Sequence, residues 1–253
     1  MLESYIRERR EQRDVLLMTH IVIGYPDLEE SMRTVQAMVE GGVDLMELQI
    51  PFSEPIADGP VILHANQKAL AAGVTVEQCF EFAARASRRF DIPFLFMSYY
   101  NIVYRYGTEA FVKRMADIGL RGSIVPDLPP EEAHDYLDAM GSQDLDPIFI
   151  FSPNTTDERL AYIADYARGF VYCVARKGVT GSATEFSRGL GGYLQRCRAA
   201  TELPLAVGFG VKEAGDVDFL RGKADIAVVG TQSLRVLDEQ GVPGVGEFVA
   251  SLV

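Results

Sequence analysis

The sequence predicts a closed (β/α)8 barrel of the TIM type with an extra helix at its N-terminus, and three observations carry that prediction. Eight apolar, β-branched-rich runs recur along the chain. Amphipathic stretches separate them, so the pattern alternates between strand and helix rather than grouping either kind. The length, 253 residues, matches the roughly 250 residues that eight such units need.

The elements follow in order. A leading helix is expected over Leu2 to Gln12, placed to close the bottom of the barrel. Strand candidates are Met18 to Ile23, Val43 to Ile50, Phe94 to Ser98, Gly122 to Val125, Pro147 to Phe151, Gly169 to Ala175, Leu205 to Val207 and Asp225 to Val229. Their near-continuous hydrophobicity suits parallel strands buried on both faces. Glu29 to Gly41 places Met32, Val35, Met38 and Val39 on one helical face, and Val76 to Phe90, Thr108 to Ile118, Glu131 to Met140 and Asp157 to Ala167 repeat the pattern. A doubly wound open sheet is the alternative, but it usually carries a glycine-rich turn after its first strand. Here "IVIGYPDLEES" offers only Gly24. No linker or composition shift divides the chain, and Pro129-Pro130 and Pro243-Gly244 read as local punctuation, so one domain over residues 1–253 is expected.

Composition narrows the function. A net charge of −12, from 24 basic and 36 acidic side chains, argues against a nucleic-acid backbone as partner. The one basic cluster, Arg7, Arg9, Arg10 and Arg13, is interleaved with Glu8 and Glu11 and reads as a solvated helix face. Cys79, Cys173 and Cys197 are far apart and lack CxxC spacing, which speaks against a disulfide framework or a zinc site and for a reducing compartment. No apolar window has the length to cross a bilayer, and the charged segment Leu2 to Asp14 leads into no signal-peptide core. A cytoplasmic chain with no membrane partner and no metal is the expectation.

Glu47 interrupts the apolar run Leu45, Met46, Leu48, Ile50, and Asp58 follows in the next loop, before Gly59-Pro60. In a (β/α)8 barrel, strand C-termini and the loops after them build the active site. Two carboxylates in unlike environments can divide acid and base roles, because burial raises one pKa while a solvated loop leaves the other ionised. Taken alone, Glu47 also fits a buried glutamate satisfied by a neighbouring hydroxyl or backbone group, and Asp58 fits a turn former. A second signal lies in "RKGVTG" (Arg176 to Gly181), "VGFGV" (Val207 to Val211) and "VVGTQS" (Val228 to Ser233), which follow or end the last three strand candidates. Glycines there let backbone N–H groups close on a phosphate.

"DLMELQIPFSEPIADGPVI", "PDLPPEE", "GFVYCVARKGVTG", "VGFGV" and "VVGT", in this order and spacing, resemble the α subunit of tryptophan synthase, from Ile21 through about Leu237. The resemblance implies a barrel that cleaves indole-3-glycerol phosphate to indole and glyceraldehyde 3-phosphate. By motif, Glu47 would be the acid–base group, Asp58 would accept a hydrogen bond from the indole N–H, and Tyr172 would hold Glu47. The phosphate would lie on Gly181, Phe209, Gly210, Gly230 and Thr231, under a lid loop carrying Arg176, Gly178 and Thr180. His20, Gln49 and Ile124 would line the indole pocket. No cofactor is implied in this chain. A β subunit carrying pyridoxal phosphate is implied as partner in an αββα heterotetramer, facing the loop Pro51 to Pro60 and the segment "MSYYN" (Met97 to Asn101), whose Tyr99-Tyr100 pair also fits ordinary rim packing.

The sequence departs from the family pattern at five positions, one of them Thr231, which replaces the common serine and keeps a hydroxyl donor. Gln49 stands where glycine is usual, as a new hydrogen-bond partner or an obstruction, and His20 stands where phenylalanine is usual. Tyr25 and Glu54 each replace an aspartate. These departures leave two alternatives to a coupled lyase subunit: a catalytically weakened regulatory subunit, or a stand-alone lyase that releases free indole.

Overall fold

The computed structural model describes residues 1–175, 183–208 and 210–253. Among them, eight parallel strands close a barrel in sequence order: β1 (Leu16–Val22), β2 (Leu45–Gln49), β3 (Phe94–Met97), β4 (Gly122–Ile124), β5 (Asp146–Phe151), β6 (Val171–Val174), β7 (Leu205–Gly208) and β8 (Ile226–Val229). Closure is the pairing of β8 with β1, Leu16 with Ile226 through Thr19 with Val229. That pairing explains why the first strand starts at Leu16, earlier than its hydrophobic run suggests.

The helices are α1 (Leu2–Arg10), α2 (Leu28–Glu40), α3 (Pro60–Ala71), α4 (Val76–Arg89), α5 (Tyr100–Tyr106), α6 (Thr108–Asp117), α7 (His134–Ser142), α8 (Asp157–Ala164), α9 (Ala183–Ala200), α10 (Ala214–Leu220) and α11 (Thr231–Ala250). Their starts follow local chemistry. Asp27 caps α2 by accepting from the Glu30 N–H at 2.7 Å, and Thr75 and Gln78 form a capping box on α4. The helix expected over Glu131 to Met140 divides into a 3-10 turn, Pro130–Glu132, and α7, because Ala133 between them sits at φ −98° and ψ 8°, outside helical geometry. The punctuation at Pro243-Gly244 is a kink in α11, where Gly241 takes φ 68°.

Side chains alternate across each strand. Outward residues such as Leu17, Met46, Phe94 and Phe96 pack beneath the helices. Inward residues Leu16, Met18, Leu45, Leu95, Ile148, Phe170, Ala206 and Ile226 fill the lower barrel together with Leu2 and Ile6 of α1. The leading helix therefore plugs the N-terminal end, as expected. Each such buried aliphatic or aromatic side chain contributes about 1.5–3 kcal/mol.

Of the basic cluster, Arg7 is exposed as expected, but Arg9, Arg10 and Arg13 are half-buried rather than solvated. Asp44, fully buried just before β2, accepts from Arg9 Nη2 at 2.8 Å, Arg13 Nη1 at 3.2 Å and the Leu17 N–H at 2.9 Å. Arg10 pairs with Asp225 at 3.3 Å. A buried carboxylate needs such partners, and it draws these arginines onto the barrel floor.

Candidate active site

Above the apolar floor, the inward face of the barrel becomes polar. On β1 the inward series Leu16, Met18 continues to His20, and on β2 Leu45 is followed inward by Glu47 and Gln49. His20 and Glu47 are opposite each other in the β1–β2 register, and His20 Nδ1 lies 3.3 Å from Glu47 Oε1. Both are buried, at 4% and 3% exposure. Burial alone would depress the imidazole's pKa. The hydrogen bond to Glu47 and the charges of Glu47 and Asp58 together outweigh burial and raise it above 6.5.

Tyr172 faces the same acid from β6. Burial, then the charges of Glu47 and Asp58 and a hydrogen bond to Glu47, push its phenol well above its ordinary value. Gly208, at the end of β7, makes room for this ring: a Cβ there would lie 3.0 Å from the Tyr172 hydroxyl.

Asp58 reaches the mouth from the loop between β2 and α3. Gly59 and Pro60 begin α3, and proline suits that position because it lacks the N–H that a first turn leaves unbonded. Asp58 Oδ2 accepts from Gln49 Nε2 at 2.7 Å and from the Tyr99 hydroxyl at 3.2 Å. Burial raises the Asp58 pKa above 3.8, while His20 and these two donors pull against the rise. Gln49 is thus a hydrogen-bond partner, of Asp58 rather than of Glu47.

Two further residues join this network without having been singled out for it. Tyr99 is fully buried, which fits the packing alternative for this residue. Its hydroxyl also accepts from the Ala57 N–H at 3.1 Å, and its ring stacks on Phe52 at 5.0 Å and 22°. Asn66 of α3 accepts from the Phe52 N–H at 2.8 Å and from Gln49 Nε2 at 3.5 Å, fixing the start of the loop. An aromatic pair at a strand end was the visible signal for Tyr99, but only the fold shows which ring turns inward. Ile124 packs in the inner layer with Tyr99 and Ile148. Tyr25 donates to Asp238 Oδ1 at 2.6 Å and Glu54 is exposed, so neither touches the acids.

Gly230 and Thr231 form the N-terminal end of α11, whose first N–H groups have no helical acceptor and can receive an anion. Gly230 also borders His20, since a Cβ there would lie 3.5 Å from His20 Cβ. Gly210, after β7, takes φ 85°, a left-handed turn that favours glycine. Gly181 and Phe209 of the expected phosphate site, and Arg176, Gly178 and Thr180 of the expected lid, lie outside the described residues. Among the described residues no group of three or more His, Cys, Asp or Glu could hold a metal ion. No described helix is long and apolar enough to cross a membrane.

The family model described as tryptophan synthase alpha chain matches residues 6–243. The chain belongs to that family. It is 66% identical over 252 residues to the tryptophan synthase alpha chain of Desulforapulum autotrophicum and 64% identical over 252 to that of Syntrophotalea carbinolica, each match covering 100% of both chains. A crystal structure of tryptophan synthase from M. tuberculosis, in its aminoacrylate-bound form, superposes with a TM-score of 0.91 at 32% identity, covering 99% of this chain and 97% of that one. As a member of the tryptophan synthase alpha chain family, the chain is a lyase of tryptophan biosynthesis.

Proposed function

We propose that this chain, acting as one domain, cleaves indole-3-glycerol phosphate to indole and glyceraldehyde 3-phosphate, with Glu47 and Asp58 as its acting acids. The observation that supports this most directly is the placing of two carboxylates at one barrel mouth in unlike surroundings, Glu47 between His20 and Tyr172, and Asp58 under Gln49 and Tyr99. Glu47 delivers a proton to C3 of the indole, which makes that carbon a leaving group. Asp58 accepts a hydrogen bond from the ring N–H and stabilises the positive charge that develops there. The C–C bond then breaks with its electrons returning to the ring, and the glycerol hydroxyl becomes the aldehyde as its proton passes back to Glu47. Protons balance over the cycle.

Gly210, Gly230 and Thr231 would hold the phosphate with the α11 N-terminus, and Gly181 and Phe209 would complete that site. Arg176, Gly178 and Thr180 would belong to the loop that closes over it. Ile124 would line the indole pocket. Each step uses side chains of this chain, and pyridoxal phosphate belongs to the partner. That partner is a β subunit that receives indole within an αββα assembly in the cytoplasm. Two exposed apolar side chains fit such a docking rim: Ile56, 79% exposed after β2, and Tyr104, 68% exposed in α5 after β3.

The test is indole release from indole-3-glycerol phosphate, with and without a β subunit. Glu47→Gln is expected to lower release by about 10²–10⁴-fold, the scale of general acid–base catalysis, while binding of a phosphate ligand persists. Substantial turnover by that variant would refute the role given to Glu47.

A further inference from the structure

Two buried polar side chains have no task in the reaction as written, His20 and Gln49. They project inward from adjacent strands, with His20 opposite Glu47 and Gln49 opposite Val22. One end of each is tied to a different acid: His20 Nδ1 lies 3.3 Å from Glu47 Oε1, and Gln49 Nε2 donates to Asp58 Oδ2 at 2.7 Å. Their other ends, His20 Nε2 and Gln49 Oε1, are buried with no hydrogen-bond partner among the described residues. Leaving either atom unpaired in a dry interior is costly. The two are complementary, since an imidazolium N–H can only donate and an amide oxygen can only accept. On the inward face Gln49 is the diagonal neighbour of His20, two residues beyond Glu47, its partner in the register.

We propose that His20 and Gln49 form a polar bridge that couples Glu47 to Asp58, so that a change at one acid is felt at the other. The inference rests on the lyase reading for its meaning, because these are the acids that the reaction uses. The outer contacts, Glu47 with His20, Gln49 with Asp58 and Asp58 with Tyr99, are in place, and the proposed link joins His20 Nε2 to Gln49 Oε1. The charged or titratable groups that face His20 are Glu47 from β2 and Asp58 from the following loop; Tyr172 from β6 reaches Glu47.

A functional consequence follows from the count of protons. His20 and Glu47 together hold one proton when the imidazole is charged, and that is the proton C3 needs. It passes from Nδ1 to Glu47 and then to carbon, and the substrate hydroxyl returns it. As pH rises past the point where His20 loses it, Glu47 has nothing to deliver. His20 and Gln49 are therefore positioning residues that act through the two acids.

The first experiment is an NMR titration of the histidines in the intact chain, which needs no turnover. The chain holds three, His20, His64 and His134, and His20→Phe assigns the first by its loss. His20 is expected to titrate above 6.5, with a lower value in Gln49→Gly. An equal value in wild type and Gln49→Gly overturns the bridge. The second is indole release against pH for wild type, both single variants and the double variant. Each single variant should lose about tenfold, and the double about the same, because either change cuts the bridge; a coupling of that size is ordinary for residues in contact. Losses that multiply, or an alkaline limb unchanged in His20→Phe, also overturn it. A wild type that releases no indole would instead defeat the lyase reading, and the titration would still decide the bridge.

Discussion

Replacing Tyr99 with phenylalanine removes one oxygen atom from the site and little else. The ring stays, and with it the stack on Phe52 at 5.0 Å and 22°. Lost are the donor to Asp58 Oδ2 at 3.2 Å and the acceptor for the Ala57 N–H at 3.1 Å. Ala57 is exposed, so water replaces the second contact and the cost to folding stays near 1 kcal/mol. The first contact is a hydrogen bond to a carboxylate, worth roughly 1.5–3 kcal/mol. If Asp58 must be held still and ionised to receive the ring N–H, that loss appears in the barrier as a fall of roughly ten- to hundredfold in kcat/KM. A second signature accompanies it. Burial raises the Asp58 pKa, and the Tyr99 hydrogen bond is among the effects that pull it down. Without the hydroxyl that pKa rises further, so the acidic limb of the rate profile should move to higher pH. The assay is indole release across pH with a β subunit present. A kcat/KM within about twofold of wild type, with an unmoved acidic limb, would refute the claim that Tyr99 positions Asp58.

Two changes elsewhere test the surrounding energetics. Because the folded Asp58 pKa lies above 3.8, its ionisation opposes folding; that stability is fully present below 3.8 and lost as pH rises through the folded value. Asp58→Asn should therefore gain about 1 kcal/mol at neutral pH in urea melts and lose indole release, the gain shrinking in acid; a variant less stable at neutral pH would contradict this. Asp44→Ala strips Arg9, Arg13 and the Leu17 N–H of their shared acceptor. Buried pairs cost roughly 3–5 kcal/mol to break, and with the arginines 34% and 29% exposed the lower end is expected; kcat should be unchanged in the folded protein, and a loss below about 1 kcal/mol would show the clamp to be weak.

The strands were legible because a parallel strand is buried on both faces and so leaves a continuous apolar run. Glu47 was legible for the same reason, as an acid that breaks such a run. What the sequence hid depends on contacts between distant segments. Arg9 meets Asp44 across 35 residues, and no local pattern separates that pair from a solvated charge cluster. Helices α3 and α11 went unseen because His64, Asn66, Gly241, Pro243 and Gly244 blur their periodicity. Tyr99 looked like rim packing because its partner, Asp58, comes from the loop after the neighbouring strand. Gln49 was read as a neighbour of Glu47, yet residues two apart on one face of a strand stand about 6.6 Å apart along its axis. The loop then turns back and brings Asp58 to it.

The two acids are held by different means, and this separates their behaviour. Glu47 lies within β2, and its distance to His20 is set by strand register, which can change only if the barrel rearranges. Asp58 lies in a loop, placed by side-chain hydrogen bonds from Gln49 and Tyr99, each of which can break on its own. Glu47, the proposed proton donor, is therefore fixed by the fold, and Asp58, the proposed partner of the ring nitrogen, is adjustable. Asp58 is thus the acid whose position can shift without a change of strand register. A bridge through His20 and Gln49 would carry that shift to Glu47 without moving the backbone.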